Sequence, residues 1–517
     1  MTTDNTTREP RGDWRDGLPE DVDRSGLPAI REIRFDSRQV GPGDLFVCAR
    51  GERHDGHDFA AAAVEAGAGV LIAEEARAVE LASLGVPVVG VANPREVLAS
   101  VSAAHEGYPA RSLTVVGITG TDGKSTTAFL TQSALRGSGL KVGLLTTIQS
   151  QIDDEVIPNP TRLTSQEAPY VHRMLAEMLE AGCTHAIIEA TSIGLDLHRL
   201  DAIEFDAAVL TNLSGDHLDY HGTFDKYRAA KGRLFEMLLP AGHRQKPGVA
   251  VLNANDKNWK YFANRTRGRV VAYGLNDTDL DVYADEIMPW SDGSTFTLTA
   301  DEDTVEASVR LPGEFNVLNA TAAITTAAAL GLDIYGATSG VASCEGVPGR
   351  MQHISGAPFT VIVDYAHTAD ALAKVVETLR PVVDGRIIAV FGCAGERARE
   401  RRSGLGGVAA KMLDYAVLTD EDPRSEPSEA IIDEIAQAMI AGGAVEGERF
   451  ERVVDRREAI GRALDLAKPG DLVLVAGKGH ESTIEYADGP REWDDRRVTR
   501  ELIVDRFGAP ETDAPEG

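Results

Sequence analysis

Short apolar runs alternate with helical stretches over most of the chain. This alternation predicts βα units, in which parallel strands form a sheet and helices cover its faces. Apolar runs typical of buried strands occur at residues 44–47, 70–73, 113–118, 142–146, 186–190, 207–211, 248–253, 360–364, 386–391, 414–419 and 472–476. Helical patterns include residues 59–66, 167–181 and 316–330. Residues 280–312 differ, because short alternating runs at 294–299 and 304–311 predict antiparallel strands beside the main sheet.

The pattern restarts twice, near residues 110 and 344, and therefore predicts an α/β protein of three domains. A small N-terminal α/β domain is predicted for residues 26–109, and a central parallel-sheet domain for 110–343. A doubly wound, Rossmann-like domain is predicted for 344–508. Residues 1–25 and 509–517 are polar, contain Pro and Gly and have no periodicity, which predicts disorder.

A glycine-rich turn joins a predicted strand to a predicted helix at the start of the central domain, in LTVVGITGTDGKSTTAFL (residues 113–130). Backbone N–H groups in such a turn, the helix N-terminus and the Lys124 ammonium all favour a polyphosphate. Ser125 is placed for its hydroxyl to meet a magnesium ion. Ile118 replaces the first glycine of the G-x-x-x-x-G-K-[ST] pattern, so an ordinary glycine turn is the alternative. The flanking strand and helix favour nucleotide binding, and the central domain is predicted to be a P-loop domain that binds a nucleotide.

The charge balance excludes several classes of partner. The chain has 52 Lys and Arg against 81 Asp and Glu, a formal net charge of −29, whereas nucleic-acid and anionic-membrane surfaces need clustered basic residues. No apolar run reaches the roughly 18 residues of a spanning helix, and residues 1–25 lack the apolar core of a signal peptide. The scattered cysteines form no C-x-x-C pair and are expected to be free thiols in a reducing cytoplasm. They are Cys48, Cys183, Cys344 and Cys393.

Carboxylates and histidines follow the predicted strands of the central domain. Glu189 ends a strand, where a carboxylate can hold magnesium directly or through water, and a helix cap is the alternative. His217 and His221 alternate with two aspartates in DHLDYH, a set that also suits zinc. The expected phosphate and the lack of a nearby thiolate favour magnesium. Lys231 lies in a helical pattern, for which a solvated lysine is the ordinary interpretation.

Polar groups also follow the strands of the C-terminal domain. Doubly wound sheets bind ligands beyond the carboxyl ends of their strands. Those ends carry DYAH (364–367), GCAGERARERR (392–402), EDPR (421–424) and GKGHE (477–481). Arg350 and Arg397 are candidates for closing over ATP or binding a carboxylate substrate. An exposed basic cluster is the alternative.

Eight strings, taken together and in order, closely resemble the Mur ligases, the ATP-dependent amide-forming enzymes of peptidoglycan synthesis. They are DSRQVGPGDLFVC, GITGTDGKSTT, TNLSGDHLDYHGTFDKYRAAK, LPGEFNVLNATAA, GVPGRM, VDYAHTADAL, FGCAGER and GKGHE. The similarity runs from about Asp36 to Glu481 and is greatest to members that add the third residue to UDP-MurNAc-L-Ala-D-Glu. It implies a UDP-substrate domain, an ATPase domain and an amino-acid domain, in that order. It also implies an acyl-phosphate intermediate and a C-terminal domain that closes to complete the site.

The resemblance implies roles for individual residues, of which Lys124, Lys231, His217 and Glu189 would be catalytic. The residues placed at ATP are Gly120, Thr121, Asp122, Gly123, Lys124, Ser125, Thr126, Asn316, Asn319 and Arg350. Those placed near two magnesium ions are Ser125, Glu189 and His217, and Lys231 would be carbamylated. Those placed at the UDP-MurNAc-dipeptide are Ser37, Arg53, His54, Thr164, Ser165, Thr191 and Arg199. Those placed at the incoming diamino acid are Arg397, Glu421, Asp422, Pro423, Arg424, Gly477 and Glu481.

Three departures from the family pattern affect these roles. The chain reads EATSI at 189–193 where family members usually read EVSSH, and Ala398 stands where an acidic residue is common. The specificity loop begins EDPR (421–424) in place of DNPR. Arg424 favours diaminopimelate, whose extra carboxylate a guanidinium binds bidentately. Asp422 adds negative charge and favours lysine or ornithine; on balance we expect diaminopimelate.

Two other functions stay open at this point. One is another Mur-type amide ligase, related to cyanophycin synthetase or folylpolyglutamate synthetase, although the DSR…GDLFV opening suits a UDP-sugar peptide better. The other is a non-catalytic nucleotide-binding scaffold. The retained residues argue against it, namely Lys124, Ser125, Glu189, His217 and Lys231. The protein is expected to be a cytoplasmic monomer that binds neither nucleic acid nor membrane.

Overall fold

The computed structural model of the chain describes residues 10–51, 54–158, 166–239, 247–290, 292–301, 303–397 and 399–508. The chain divides into two units. The first contains residues 1–283, 299–303 and 319–341, and the second contains residues 284–298, 304–318 and 342–517. Among the described residues, no helix combines the length and the apolar character that crossing a bilayer requires.

The N-terminal part of the first unit is a sheet of four parallel strands in the order β1-β2-β3-β4. The strands are β1 (Ile33–Arg34), β2 (Leu45–Val47), β3 (Val70–Glu74) and β4 (Val88–Val91). The helices are α1 (Ala60–Glu65), α2 (Glu75–Leu81) and α3 (Pro94–His105). Helix α3 begins where the Asn93 side chain accepts the Arg95 N–H and Pro94 occupies the first turn, two standard N-terminal signals.

Residues 10–25 pack onto this N-terminal sheet, so the prediction of disorder for residues 1–25 is wrong for its described part. Trp14 and Leu18 are buried in one apolar cluster with Leu98 and Val101 of α3. The Trp14 indole donates to the Pro28 carbonyl at 3.2 Å. An isolated aromatic side chain therefore orders a segment whose composition is otherwise polar. Residues 1–9 and 509–517 lie outside the described residues.

The central part of the first unit is a mostly parallel sheet in the order β12-β11-β10-β5-β9-β6-β7-β8. The strands are β5 (Thr114–Thr119), β6 (Val142–Leu145), β7 (Gln149–Ile152), β8 (Glu155–Pro158), β9 (His185–Glu189), β10 (Ala207–Leu210), β11 (Val249–Asn253) and β12 (Arg269–Leu275). The helices are α4 (Lys124–Gly137), α5 (Ala168–Glu180), α6 (Ser192–Asp196), α7 (Leu218–His221), α8 (Phe224–Glu236) and α9 (Trp259–Ala263). Strands β7 and β8 are antiparallel additions at one edge. The inner strands are buried along nearly their whole length, which explains their continuous apolar runs.

Three further strands and two helices follow in the chain. The strands are β13 (Val282–Trp290), β14 (Gly293–Ala300) and β15 (Asp303–Val309), and they are neighbours in that order. The helices are α10 (Glu314–Ala329) and α11 (Ile334–Ala342). The alternating runs predicted at 294–299 and 304–311 are therefore strands.

The second unit is built on a sheet in the order β16-β17-β21-β18-β19-β20, parallel except for the short strand β16. The strands are β16 (Gln352–His353), β17 (Thr360–Asp364), β18 (Ile387–Phe391), β19 (Tyr415–Leu418), β20 (Phe450–Arg452) and β21 (Leu472–Ala476). The hairpin strands β22 (Thr483–Tyr486) and β23 (Gly489–Glu492) are separate. The helices are α12 (Ala369–Leu379), α13 (Glu400–Met412), α14 (Ser428–Ala441), α15 (Arg456–Leu466) and α16 (Asp495–Phe507).

The predicted α/β class is confirmed, with N-terminal, central and C-terminal sheets that are largely parallel. The exact boundaries at residues 109 and 343 stay predictions. Short 3-10 turns occur at Trp14–Gly17, Ser37–Gln39, Gly56–Phe59, Ala82–Leu84, Pro109–Arg111 and Arg380–Val382. All four cysteines are buried free thiols, as expected.

Candidate active site

The glycine-rich turn between β5 and α4 has the backbone conformation of a phosphate-binding loop. Gly120 and Gly123 have φ values of 152° and 81°, in the region that favours glycine. A Cβ atom at position 120 would lie 1.9 Å from the Thr211 hydroxyl oxygen. A larger residue is therefore excluded there by contact as well as by conformation. Helix α4 begins immediately afterwards at Lys124, so its N-terminal N–H groups border the turn.

Hydrogen bonds to the residues that follow β10 hold this loop in place. The Thr121 N–H donates to the Asn212 carbonyl at 2.9 Å, and the Asp122 N–H donates to the Asn212 side chain at 2.9 Å. The Thr211 hydroxyl donates to the Asp122 carbonyl at 2.6 Å. The Lys124 ammonium donates to the Thr121 carbonyl at 2.8 Å. These hydrogen bonds fix the conformation of the loop and hold the Lys124 ammonium beside it.

Ser125 and Glu189 are brought together, as the predicted magnesium site requires. The Ser125 hydroxyl donates to the Glu189 carboxylate at 2.8 Å, and the Thr147 N–H donates to the same carboxylate oxygen at 3.0 Å. Both side chains are buried. A hydroxyl and a carboxylate beside a phosphate loop are oxygen donors of the kind that magnesium prefers. The residues present therefore fit a magnesium–nucleotide complex.

His217 is not brought into that contact. Its side chain is 49% exposed, and its ring nitrogen lies 3.4 Å from the Asp216 carboxylate. Among the described residues, no group of three or more His, Cys, Asp or Glu side chains is arranged to hold a metal ion. The assignment of His217 to magnesium accordingly stays a prediction.

Lys231 is buried behind the phosphate loop, which the helical pattern alone did not indicate. Its ammonium nitrogen donates to the Gly120 carbonyl at 2.6 Å and lies 4.7 Å from the centre of the Tyr227 ring. Burial lowers the pKa of Lys231 well below its usual range, and the nearby Lys124 ammonium lowers it further. The carboxylates of Asp216 and Glu189 oppose this shift. Burial at the loop thus shifts the balance of Lys231 towards its neutral amine.

Of the other predicted nucleotide contacts, Asn319 reaches the loop. Its side-chain oxygen accepts the Thr127 hydroxyl at 3.2 Å, and a Cβ at Gly123 would lie 2.6 Å from that oxygen. Asn316, one turn earlier on α10, is buried and donates to the Pro312 carbonyl at 2.8 Å. In the second unit, the Arg350 guanidinium lies over the Tyr365 ring at 4.6 Å. Nucleotide contacts by Asn316 and Arg350 stay predictions.

The residues predicted for the UDP-sugar peptide lie on turns and a helix start of the first unit. Ser37 is half-buried in a 3-10 turn, and His54 is exposed with its ring edge-on to Phe59. Thr191 caps α6, because its hydroxyl oxygen accepts the Gly194 N–H at 3.0 Å. The residues predicted for this substrate that lie outside the described residues are Arg53, Thr164 and Ser165.

Glu167 is a buried partner of Arg199 that sequence reasoning missed. One oxygen of its carboxylate accepts Arg199 Nε at 2.9 Å, and the other lies 3.2 Å from Arg95 Nη1. Arg95 comes from α3 of the N-terminal sheet, so Glu167 joins two arginines from different parts of the first unit. No motif marks Glu167 in the sequence. Its contacts with Arg199 and Arg95 can be recognised only in the folded structure.

We expect Glu167→Gln to raise the KM for the UDP-sugar peptide about tenfold, because losing a charged hydrogen bond costs about 1.5 kcal/mol. The KM for ATP should change little, since Arg199 is predicted to bind the sugar peptide. Steady-state kinetics with each substrate varied in turn would measure this. The matched control is Glu180→Gln, whose carboxylate pairs with Arg11 at the other end of α5. Equal increases in both KM values would contradict a role in holding Arg199.

The polar loops of the second unit meet at the carboxyl ends of the strands, as predicted. The Gly477 N–H donates to the Asp364 carbonyl at 3.1 Å, and the Gly395 N–H donates to the Asp422 carbonyl at 2.8 Å. A Cβ at Gly395 would lie 2.1 Å from the Pro423 carbonyl oxygen, so these two loops are in direct contact. Asp364, Asp422 and Gly477 therefore share one edge of the sheet.

The side chains predicted for the diamino acid differ in exposure. Glu421 is buried, Arg424 is half-buried in a left-handed conformation (φ 57°), and Arg397 is exposed. Glu481 accepts the Tyr365 hydroxyl at 3.3 Å. The structure brings the loops of these residues together, while their contacts with a diamino acid stay predictions. Ala398, the departure noted beside Arg397, lies outside the described residues.

Glu421 is expected to make stability depend on pH. Burial raises the pKa of its carboxyl to about 8 from an ordinary value of 4.5. The folded protein thus favours the protonated form, so this contribution is full below pH 4.5 and is lost as the pH rises towards about 8. Thermal unfolding of the wild type should therefore move to lower temperature across this window more than that of Glu421→Gln. A matching pH dependence in Glu421→Gln would contradict this, with the exposed Glu448→Gln as the control.

Comparisons with known proteins agree with this organisation. The family model described as "Mur ligase family, catalytic domain" matches residues 29–106. The "Mur ligase middle domain" matches residues 118–327, and the "Mur ligase, glutamate ligase domain" matches residues 349–479. The three matches fall in the three predicted domains.

Relatives match over nearly the whole chain. The UDP-N-acetylmuramyl-tripeptide synthetase of Roseiflexus sp. (strain RS-1) is 41% identical over 487 residues, covering 92% of this chain and 95% of that protein. The UDP-N-acetylmuramoyl-L-alanyl-D-glutamate–2,6-diaminopimelate ligase of Bacillus cereus is 37% identical over 481 residues, covering 93% and 95%. A solved structure with the same ligase name has a TM-score of 0.67 at 30% identity, covering 95% of this chain and 99% of that one. Because a relative is 41% identical over 92% of this chain and the three Mur ligase domain models all match, the chain belongs to the Mur ligase family.

Proposed function

We propose that the protein is an ATP-dependent ligase that adds meso-diaminopimelate to UDP-MurNAc-L-Ala-D-Glu in peptidoglycan synthesis. Relatives with this activity in their names match over nearly the whole chain. The observation that carries the proposal is the phosphate loop with Lys124 and the Ser125–Glu189 pair at its exit. This arrangement suits transfer of a phosphoryl group, and the polar loops of the second unit are proposed to bind the amine.

In the first step, the D-glutamate carboxylate of the sugar peptide attacks the γ-phosphorus of ATP. An O–P bond forms, the bond to ADP breaks, and an acyl phosphate results. The loop N–H groups and Lys124 would hold the phosphates and offset the negative charge that spreads over the transferring group. Ser125 and Glu189 would hold magnesium, which supplies charge neutralisation at the phosphates. Arg199, fixed by Glu167, would orient the sugar peptide.

Lys231 is proposed to carry a carbamate. A neutral lysine amine can attack carbon dioxide: an N–C bond forms, one C=O π bond opens to give the carboxylate, and the nitrogen releases one proton. The lowered pKa of Lys231, caused by its burial, increases the share of the required neutral amine. The product is an anionic carboxylate beside Gly120, where it would add an oxygen donor to those of Ser125 and Glu189. A buried lysine that donates to the Gly120 carbonyl would thereby become a group suited to a phosphate site that holds metal ions.

In the second step, the free amine of the diamino acid attacks the acyl carbon, and the tetrahedral intermediate collapses to the amide and phosphate. Arg424 is proposed to bind the carboxylate that distinguishes diaminopimelate from lysine, since a guanidinium fork matches a carboxylate. Glu481 is proposed to accept an ammonium group of the same substrate. We further propose that the protein works as a monomer in the cytoplasm, where its nucleotide substrates are made.

Phosphate release in the presence of ATP and UDP-MurNAc-L-Ala-D-Glu, measured across a panel of amines, tests the proposal. The panel is meso-diaminopimelate, L-lysine, L-ornithine and L-glutamate. Release is expected to be fastest with diaminopimelate and to require the sugar peptide. If no amine supports release, the ligase function is wrong. If lysine is preferred, the activity stands and the amine assignment is wrong.

A further inference from the structure

The carboxylate of Asp422 already has a cationic partner inside the protein. Asp422 Oδ1 accepts Lys478 Nζ at 2.8 Å and the Glu485 backbone N–H at 2.9 Å. The Lys478 side chain has no exposed surface, and that of Asp422 is only 7% exposed. A buried ion pair of this kind has lost its water, so each charge depends on the other. The negative charge that favoured a basic amine in the sequence is therefore offset by a residue of the same chain.

Lys478 also pairs with Glu481, so one buried ammonium lies between two carboxylates. Glu481 is the residue proposed for an ammonium group of the diamino acid, and its other oxygen accepts the Tyr365 hydroxyl at 3.3 Å. Lys478 thus links the EDPR segment to the GKGHE segment. Loss of the ammonium would leave the buried Asp422 carboxylate without its cation, and the partly buried Glu481 carboxylate would lose the same partner. An unpaired buried charge costs far more than the loss of an exposed one.

The specificity loop, defined here as residues 421–426, is also held at its other end. The Glu426 carboxylate accepts the buried Arg402 guanidinium at 2.8 Å. The Arg424 N–H donates to the Glu485 carbonyl at 2.8 Å, so both Asp422 and Arg424 bind the backbone of the same residue in β22. These two hydrogen bonds to the Glu485 backbone therefore fix the position of the specificity loop along strand β22.

The Arg424 guanidinium, whose charge also acts on the exposed Glu396 carboxylate, keeps one donor available in this scaffold. Its Nε atom is buried and has no hydrogen-bond partner among the described residues. A buried guanidinium N–H without an acceptor is costly, and a carboxylate ligand would remove that cost.

We propose that the Asp422–Lys478 ion pair holds the specificity loop so that Arg424, and not Asp422, recognises the diamino acid. Asp422 and Lys478 are then positioning residues for diaminopimelate, and this inference rests on the proposed function. It reverses the expectation drawn from the charge of Asp422 alone. The replacement of Asn by Asp in the EDPR segment is compensated by Lys478 and does not create a lysine site.

The test is the effect of Asp422→Asn in three backgrounds: the wild type, Lys478→Gln and Lys478→Arg. In the wild type, Asp422→Asn should raise the KM for diaminopimelate roughly tenfold to a hundredfold, because small misplacements of a binding group have effects of this size. The KM for ATP should stay unchanged in the same variant. In Lys478→Gln, the same substitution should have little effect or partly restore activity, since it removes an unpaired buried charge. In Lys478→Arg, which keeps the cation, its effect should persist.

An equal effect of Asp422→Asn in the wild type and in the Lys478→Gln background would overturn the proposal, because direct contact with substrate does not depend on Lys478. If Lys478→Gln fails to fold, loss of the Asp422→Asn effect in Lys478→Arg would overturn it instead. The matched control is Asp433→Asn, which removes an exposed carboxylate of α14 that pairs with Arg452. These outcomes are separate from failure of the proposed function, in which the wild type itself would use no amine. If the wild type prefers lysine, Arg424 does not read a second carboxylate, and the proposal is overturned while the ligase activity stands.

Discussion

Lys231→Ala is expected to lower kcat about a hundredfold or more, a loss typical of removing one preorganised group from a charged transition state. The substitution removes the amine that lies 2.6 Å from the Gly120 carbonyl and with it the proposed carbamate. Addition of a short carboxylic acid such as acetate should restore part of the activity, because its carboxylate can enter the space left by the side chain. Phosphate release with and without added acid would measure both effects.

The matched control is Lys226→Ala, which removes an exposed lysine from the same helix. It should keep normal activity and show no response to acetate. Thermal unfolding of both variants separates a loss of fold from a loss of chemistry. Normal turnover by Lys231→Ala without added acid would reject the carbamate role.

Arg424→Ala is expected to lower kcat/KM for diaminopimelate about a hundredfold, because truncating one partner of a desolvated charge pair costs several kcal/mol. Use of L-lysine should change much less, since lysine lacks the second carboxylate. The preference between the two amines should therefore collapse or reverse. Competition between them for ligation, analysed by mass of the UDP-linked product, gives this ratio directly.

Arg462→Ala, which removes an arginine of α15 that pairs with Glu451, is the matched control. It should leave the amine preference unchanged. Arg424→Lys provides a stricter comparison, because it keeps the charge and loses the planar fork. An unchanged amine preference in Arg424→Ala would mean that another group reads the second carboxylate.

Much of the fold was predictable because the inner strands are buried on both faces. Residues 207–211 and 472–476 are continuous apolar runs, and both form inner strands of a parallel sheet. Strands such as β8, β16 and β20 were not predicted, because they are short and lie at sheet edges where polar residues are tolerated. Apolar runs therefore indicate the centre of a sheet better than its margins.

The residues of the candidate site also differ in whether the sequence could predict them. Lys124 and Ser125 were predictable, because a phosphate loop is contiguous in sequence and its chemistry follows from local geometry. Lys231 was accessible only through the family resemblance, since its burial depends on packing against Gly120. Glu167 and Lys478 were missed, because their roles arise from ion pairs with residues distant along the chain. Long-range charge pairing has no local pattern from which it can be read.

The buried Trp14 has a practical consequence for work with this protein. A shortened version that begins at Ile30 would lack Trp14 and Leu18, and the apolar side chains of α3 that they cover would be exposed to water. Bare apolar surface of this kind promotes self-association. Such a version would be recovered in lower soluble yield and would be cut more readily by proteases. An affinity tag is better attached ahead of the tryptophan than in place of the segment that contains it.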